Sequence, residues 1–245
     1  MAKVIFNADD LGLTRGVNQG ILNCYKKGAI NSASLLTNTP YFDETVLLIK
    51  ENKLHNIGLH FNLTEFKPLF STLKTLVDQD GNFYRNCSNI KTIDLHEVAL
   101  ELTAQYQKAI DAGVTITHFD SHHHVHMSKL LGKTFLQMSN KYHIPLRKVT
   151  NTYRNPFKRL QHYWLYKEAH FYTQNFTAAF YDNNATAETL NTIIKNANGS
   201  IEIMCHPGYA DAENGEYNLQ RVTELEILLS TELRAWLTSL KLTTD

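Results

Sequence analysis

Two acidic residues stand side by side at Asp9-Asp10, directly after the short apolar run Val4-Ile5-Phe6. Further on, His118 to His126 reads His-Phe-Asp-Ser-His-His-His-Val-His, so five of the twelve histidines fall within nine positions. Neutral imidazoles at that density form the donor set that divalent transition ions prefer. His60 ends another apolar run, Ile57-Gly58-Leu59, and His206 lies in the sharp turn Cys205-His-Pro-Gly-Tyr209. Carboxylates and imidazoles at the ends of apolar runs suit hydrolysis at a divalent ion. The ion activates water, a carboxylate takes its proton, and an imidazole returns one to the leaving group.

Spacing narrows the candidates. His118, Asp120 and His122 share one face of an extended segment, and His122 stands first beyond its end, which makes it the ligand candidate of the cluster. His123, His124 and His126 are read as supporting or substrate-facing groups, and spacing assigns no role to His118 or Asp120. Adjacent carboxylates in an extended chain face opposite ways, which suits one of Asp9 and Asp10 to a metal and the other to a base. Each candidate also has a plainer reading, since Asp caps helices and a lone His often packs in a core. The pairs Ser121-His122 and Cys205-His206 are neighbours that face apart on a strand, so neither makes a nucleophile with its base.

The elements that position these residues alternate between short apolar runs and helical patterns. Strands are expected at Val4–Phe6, Ser34–Thr37, Ile57–Leu63, Thr115–Asp120, Leu146–Val149, Ala178–Tyr181 and Ile201–Cys205. Helices are expected from Thr14 to Lys27, Asp43 to Asn52, Leu95 to Ala112, Ser128 to Tyr142, near Phe157–His170, Thr186 to Asn196 and Glu224 to Leu240. About seven β/α units of this kind imply an α/β fold with a parallel sheet closing into a barrel, as one domain over 1–245. Asp9-Asp10, His60, Asp120 with His122, Arg147 and His206 all follow strand runs, the end at which barrel active sites form. The polar stretch Phe66–Ile93, with a turn at Asp80-Gly81, is a candidate lid.

Twenty-four basic residues balance twenty-four acidic ones, which leaves no electrostatic foothold for nucleic acid or an anionic membrane. No apolar run reaches the roughly 18–20 residues of a membrane span. Three scattered cysteines, Cys24, Cys87 and Cys205, argue against a disulfide framework and for a cytoplasmic protein.

Taken together, Asn7-Ala-Asp-Asp-Leu-Gly12, Gly58-Leu-His-Phe-Asn-Leu-Thr64 with Lys67-Pro68, His118 to His126, and Cys205-His-Pro-Gly-Tyr209 resemble the YdjC-like carbohydrate deacetylases, which include chitooligosaccharide monodeacetylases. The one departure beside these motifs is Leu11, where the family usually has Phe. The resemblance implies a distorted β/α barrel related to the polysaccharide deacetylases. It implies Asp10, His60 and His122 as ligands of one divalent ion, Asp9 as base, His206 as general acid and Arg147 as the group that orients the base. It also implies a small acetylated oligosaccharide as substrate, phosphorylated or not, and a homodimer. Mg²⁺ is the ion the resemblance implies, whereas two imidazoles and a carboxylate suit Zn²⁺, Co²⁺, Mn²⁺ or Ni²⁺ better.

Two other readings compete. One is another barrel hydrolase, an amidohydrolase or phosphoesterase; amidohydrolases typically carry His-x-His where this chain has Asp9-Asp10. The other is a metal- or sugar-binding protein without catalysis, which would bind an acetylated sugar and release no acetate.

Overall fold

The computed structural model describes residues 3–86, 92–150, 154–213 and 217–239. Cys87 and parts of the expected Phe66–Ile93 loop and the last expected helix lie outside them. The chain divides into two compact units. The first comprises 1–35, 41–57 and 173–245, and the second 36–40 and 58–172.

In the first unit, β1 (Val4–Leu11), β2 (Ser32–Leu35), β5 (Asn175–Thr177) and β6 (Ile201–Cys205) lie in the order β2-β1-β6-β5. All three pairings are parallel. Every residue of β1 is buried, as its place between two neighbours demands of an apolar run. Helices α1 (Arg15–Lys26), α2 (Phe42–Glu51), α6 (Ala187–Lys195), α7 (Asn218–Leu229) and α8 (Thr231–Ser239) complete the unit. Thr14 caps α1 by accepting from the Val17 N–H, and Thr186 caps α6 by accepting from Thr189. The single closing helix expected from Glu224 is two helices, which part at Ser230, extended at ψ 142°.

In the second unit β3 (Ile57–Phe61, from Gly58 on) neighbours β4 (Ile116–Ser121), with α3 (Leu95–Asp111) crossing between them. A tight turn at His122–Met127 follows β4, and α4 (Gly132–Tyr142) and α5 (Pro156–Tyr166) come after it. Phe61, Phe119 and Phe135 meet at centroid distances of 5.0 and 5.6 Å, at the heart of this unit's core. The 66–86 stretch is docked on α3 rather than loose. Glu101 accepts the Leu69 and Phe70 N–H groups at 3.0 and 2.8 Å, and Glu97, one turn earlier, accepts those of Lys74 and Thr75.

Six strands form among the described residues, against the seven expected. The Leu146–Val149 run contributes one residue: Leu146 bridges Phe119 and Phe171 in parallel, and no ladder extends beyond it. Pro145 has no N–H to donate, and Arg147-Lys148 breaks the apolar run at once. The expected strand at Ala178–Tyr181 lies three residues earlier, at Asn175–Thr177. No described helix is long and apolar enough to cross a membrane.

Candidate functional site

In the first unit the acidic pair does not sit on a regular strand. Between Ala8↔Ala33 and Leu11↔Leu35, β1 advances three residues while β2 advances two, which is a bulge. Asp10 takes the extra place at φ 68°, a conformation that a non-glycine residue rarely adopts. The bulge therefore replaces the strand alternation expected to separate the two carboxylates. Both are buried and held by different donors. Asn7, two residues back on the same face, donates its Nδ2 to Asp9 Oδ1 at 2.7 Å, and Asn7 is itself fixed by Ser32 and Ser34. Arg221 of α7 donates Nη2 to Asp10 Oδ2 at 2.6 Å.

His206 follows β6 in the same unit, and its backbone N–H donates to Glu224 Oε2. The Glu224 carboxylate is fully buried and its Oε1 lies 3.7 Å from His206 Nδ1. Two tyrosines pack beside the imidazole, Tyr181 at 5.6 Å and Tyr217 at 5.9 Å between centroids, both nearly perpendicular to it. The Arg221 guanidinium lies over the Tyr217 ring at 4.8 Å. Burial, together with the Glu224 charge, pushes the Tyr217 phenol far up, so it stays protonated. Cys205 faces the other way, its thiol against the Asn7 carbonyl at 3.3 Å.

The second unit holds His60, Asp120, His122 and Arg147. His60 Nδ1 lies 2.8 Å from Asp120 Oδ1, and Arg147 Nη2 donates to Asp120 Oδ2 at 2.6 Å, all three side chains being buried. Burial alone would raise the Asp120 carboxyl, but the Arg147 guanidinium and then His60 hold it far below the usual carboxylate range. An ionised carboxylate can only accept, so His60 donates from Nδ1 and turns Nε2 away from the carboxylate, the orientation of a metal-ligating imidazole. His122 opens the turn after β4, with Nε2 3.3 Å from Glu65 Oε2. Burial would raise the Glu65 carboxyl too, yet its bond to His122 brings it below the usual value.

The remaining histidines divide by packing. His118 stacks on Tyr172 at 4.1 Å and 7°, and a side chain at Gly58 would meet its ring at 2.3 Å, so glycine is required there. His126 is fully buried and donor-acceptor paired with Ser121 Oγ at 2.6 Å; burial drives its pKa well down and keeps it neutral. Its backbone N–H also donates to Ser121 Oγ at 3.0 Å, which ties it to the turn. His123, exposed and at φ 52°, pairs through Nδ1 with Thr64 Oγ1 at 2.9 Å.

Donors able to hold a metal ion are present: in the second unit Glu65, His122 and His123 each offer an atom within 4.8 Å of the others. His60, whose Nδ1 is fixed by the Asp120 carboxylate, has the orientation of an imidazole that holds a divalent ion. The sequence assigned no role to Asn7, Glu65, Arg221 or Glu224. For the last two a signal existed: Arg221 and Glu224 lie on the helix face that also carries the buried Leu225 and Leu228, where charged residues need partners.

Residues 3–239 match the model of the family described as YdjC-like protein. A protein of Listeria monocytogenes serotype 4a named carbohydrate deacetylase is 36% identical, over 96% of this chain and 94% of its own length. A carbohydrate deacetylase of Clostridium beijerinckii is 31% identical over 94% and 93%. A crystal structure from Enterococcus faecalis V583, described provisionally as a cellobiose-phosphate cleavage protein, superposes with a TM-score of 0.85. It is 31% identical and covers 98% of this chain and 95% of that one.

Proposed function

The chain belongs to the YdjC-like protein family, and from that premise we propose that it is a metal-dependent carbohydrate deacetylase. Its substrate in this reading is a small N-acetylated sugar of the chitooligosaccharide type, such as diacetylchitobiose or its phosphate, and the products are acetate and a free amine. The observation that carries the reading is the buried, pre-oriented state of acids and imidazoles in a chain whose full-length relatives are named carbohydrate deacetylases.

Asp10, His60 and His122 are the proposed ligands of one divalent ion, Mg²⁺ by family resemblance, with Zn²⁺, Co²⁺, Mn²⁺ or Ni²⁺ favoured by donor softness. When bound, the ion supplies Lewis acidity to the acyl oxygen and to water. Asp9 takes the proton of the attacking water, and Asn7 fixes which carboxylate oxygen is turned to that task. His206 gives a proton to the leaving nitrogen, since an amide anion does not depart unaided. Glu224 fixes its backbone and faces its ring. Arg147 is an orienting group: by holding Asp120, it sets the His60 ring. A distorted barrel of about seven β/α units, a single domain over 1–245, a homodimer and a cytoplasmic location belong to the same proposal. The free thiols of Cys24 and Cys205 support the last of these.

Acetate release from N-acetylglucosamine, diacetylchitobiose and phosphorylated diacetylchitobiose tests the reading. Release that is abolished by a chelator and restored by a divalent ion is the expected result. No acetate from any of them, or release indifferent to chelation, overturns it. A second reading, cleavage of a phosphorylated disaccharide at its glycosidic bond, draws on the description of the Enterococcus faecalis protein. It predicts monosaccharides without acetate in the same assays.

A further inference from the structure

Tyr181 is a large aromatic residue that the chemistry above leaves without a task. Its side chain is 41% exposed, whereas its neighbour Phe180 is fully buried. The backbone at Tyr181 is extended, so alternation sends Phe180 inward and Tyr181 outward. A tight turn then locks it: the Asn184 N–H donates to the Tyr181 carbonyl at 3.0 Å, and Asp182 sits at φ 52°. A non-glycine residue in that conformation carries a local cost that the surrounding structure must offset.

The exposed ring is part of a built surface. Tyr181 and Tyr217 lie 28° from parallel with centroids 5.7 Å apart. The His206 ring stands at 72° to the first and 85° to the second. The two tyrosine rings thus stack on one another beside the imidazole, Tyr217 beneath Arg221 and Tyr181 partly exposed to solvent.

We infer that Tyr181 is a sugar-stacking platform, a subsite for the pyranose ring that bears the departing nitrogen. The inference rests on the assignment of His206 as the acid. A group that protonates the leaving amine must lie beside the sugar carrying that amine, and the exposed aromatic face beside His206 is that of Tyr181. The C–H face of a pyranose is apolar while its hydroxyls point outward around the rim, which matches an aromatic face edged by polar groups. Stacking of this kind acts alike on substrate and transition state, so it is read in KM and in binding rather than in kcat.

The test compares Tyr181→Ala and Tyr181→Phe with wild type, by acetate release from diacetylchitobiose and by calorimetric titration with the same sugar. The expected result is KM and dissociation constant raised about tenfold in the alanine variant, with a several-fold smaller effect on kcat, and sugar affinity regained in the phenylalanine variant. Equal affinity in wild type and Tyr181→Ala overturns the platform. A fall in kcat with no change in affinity also overturns it, because the ring then serves only to shield His206. Wild-type protein that binds the sugar but releases no acetate sinks the deacetylase reading alone, since the affinity comparison still decides the platform. Wild-type protein that does not bind the sugar overturns the platform.

Discussion

Apart from His206, which faces Glu224, the first unit presents carboxylates and holds them with donors, while the second presents imidazoles and holds them with carboxylates. Asp9 is fixed by the amide of Asn7 and Asp10 by the guanidinium of Arg221. His60 is fixed by Asp120 and His122 faces Glu65. Both arrangements direct a lone pair by tying up the other end of the group, and opposite partners are needed because a carboxylate only accepts while an imidazole must donate from one nitrogen. The cost of losing a partner should differ accordingly. Losing the neutral amide of Asn7 takes one hydrogen bond from the Asp9 carboxylate but no countercharge. Losing Asp120 leaves the guanidinium of Arg147, buried against it, without its countercharge.

The most damaging change expected is at the presented group itself. Asp9→Asn keeps the fold and the metal content of wild type but lowers kcat by about 10²–10⁴-fold, the usual worth of a general base. Kinetics with elemental analysis check this, and near-normal turnover would remove Asp9 from the chemistry. Asp120→Asn is next and acts on stability as well. It leaves the buried Arg147 charge without its carboxylate, at a cost of about 3–5 kcal/mol, and loosens metal binding about 10–100-fold through His60. Denaturant melts and a metal titration measure the two effects separately. Because the Asp120 carboxyl is held below its ordinary value, its contribution is complete above about pH 4 and is lost as the pH falls further. The stability gap between wild type and Asp120→Asn should therefore be full at pH 7 and narrow only in acid. Asn7→Ala, the matching change in the first unit, should cost about 1–3 kcal/mol. A loss as large as that of Asp120→Asn would break the contrast.

What the sequence made legible was the presented groups, and what it hid was their partners. Asp9, Asp10, His60, His122 and His206 all come at or just past the ends of apolar runs, and that placement is readable because strand ends are marked by hydrophobic pattern. Asp120 shares a strand face with His118, but alternation says nothing about which of two buried polar residues meets an arginine 27 positions later. The Asp9-Asp10 bulge has no glycine or proline to announce it, so regular alternation was the natural expectation there. The tight turn after β4 was equally silent: His123 and His124 both take left-handed angles with no glycine there to announce them. The shortfall at Leu146–Val149 has the simplest cause. Four residues with two adjacent cations in the middle cannot fill both faces of a buried strand, and the pairing shrinks to Leu146 alone.

The mildest prediction concerns the boundary of the contrast. His123 is the one imidazole of the second unit's Glu65–His122–His123 group whose described partner is a hydroxyl, Thr64 Oγ1 at 2.9 Å, and it is exposed. A hydroxyl can donate or accept, so it does not fix a tautomer as Asp120 fixes that of His60. If His123 is an accessory to the turn, Thr64→Val should cost only about 0.5–1.5 kcal/mol, the worth of the lost hydrogen bond, and alter kcat/KM less than about threefold. Thr64 also donates to Asn62 Oδ1 at 3.3 Å, so Thr64→Ser, which keeps the hydroxyl, is the control. Should Thr64→Val instead depress metal affinity as strongly as Asp120→Asn while Thr64→Ser does not, His123 belongs among the presented imidazoles. The rule that this unit holds its imidazoles with carboxylates would then fail at one of its own members.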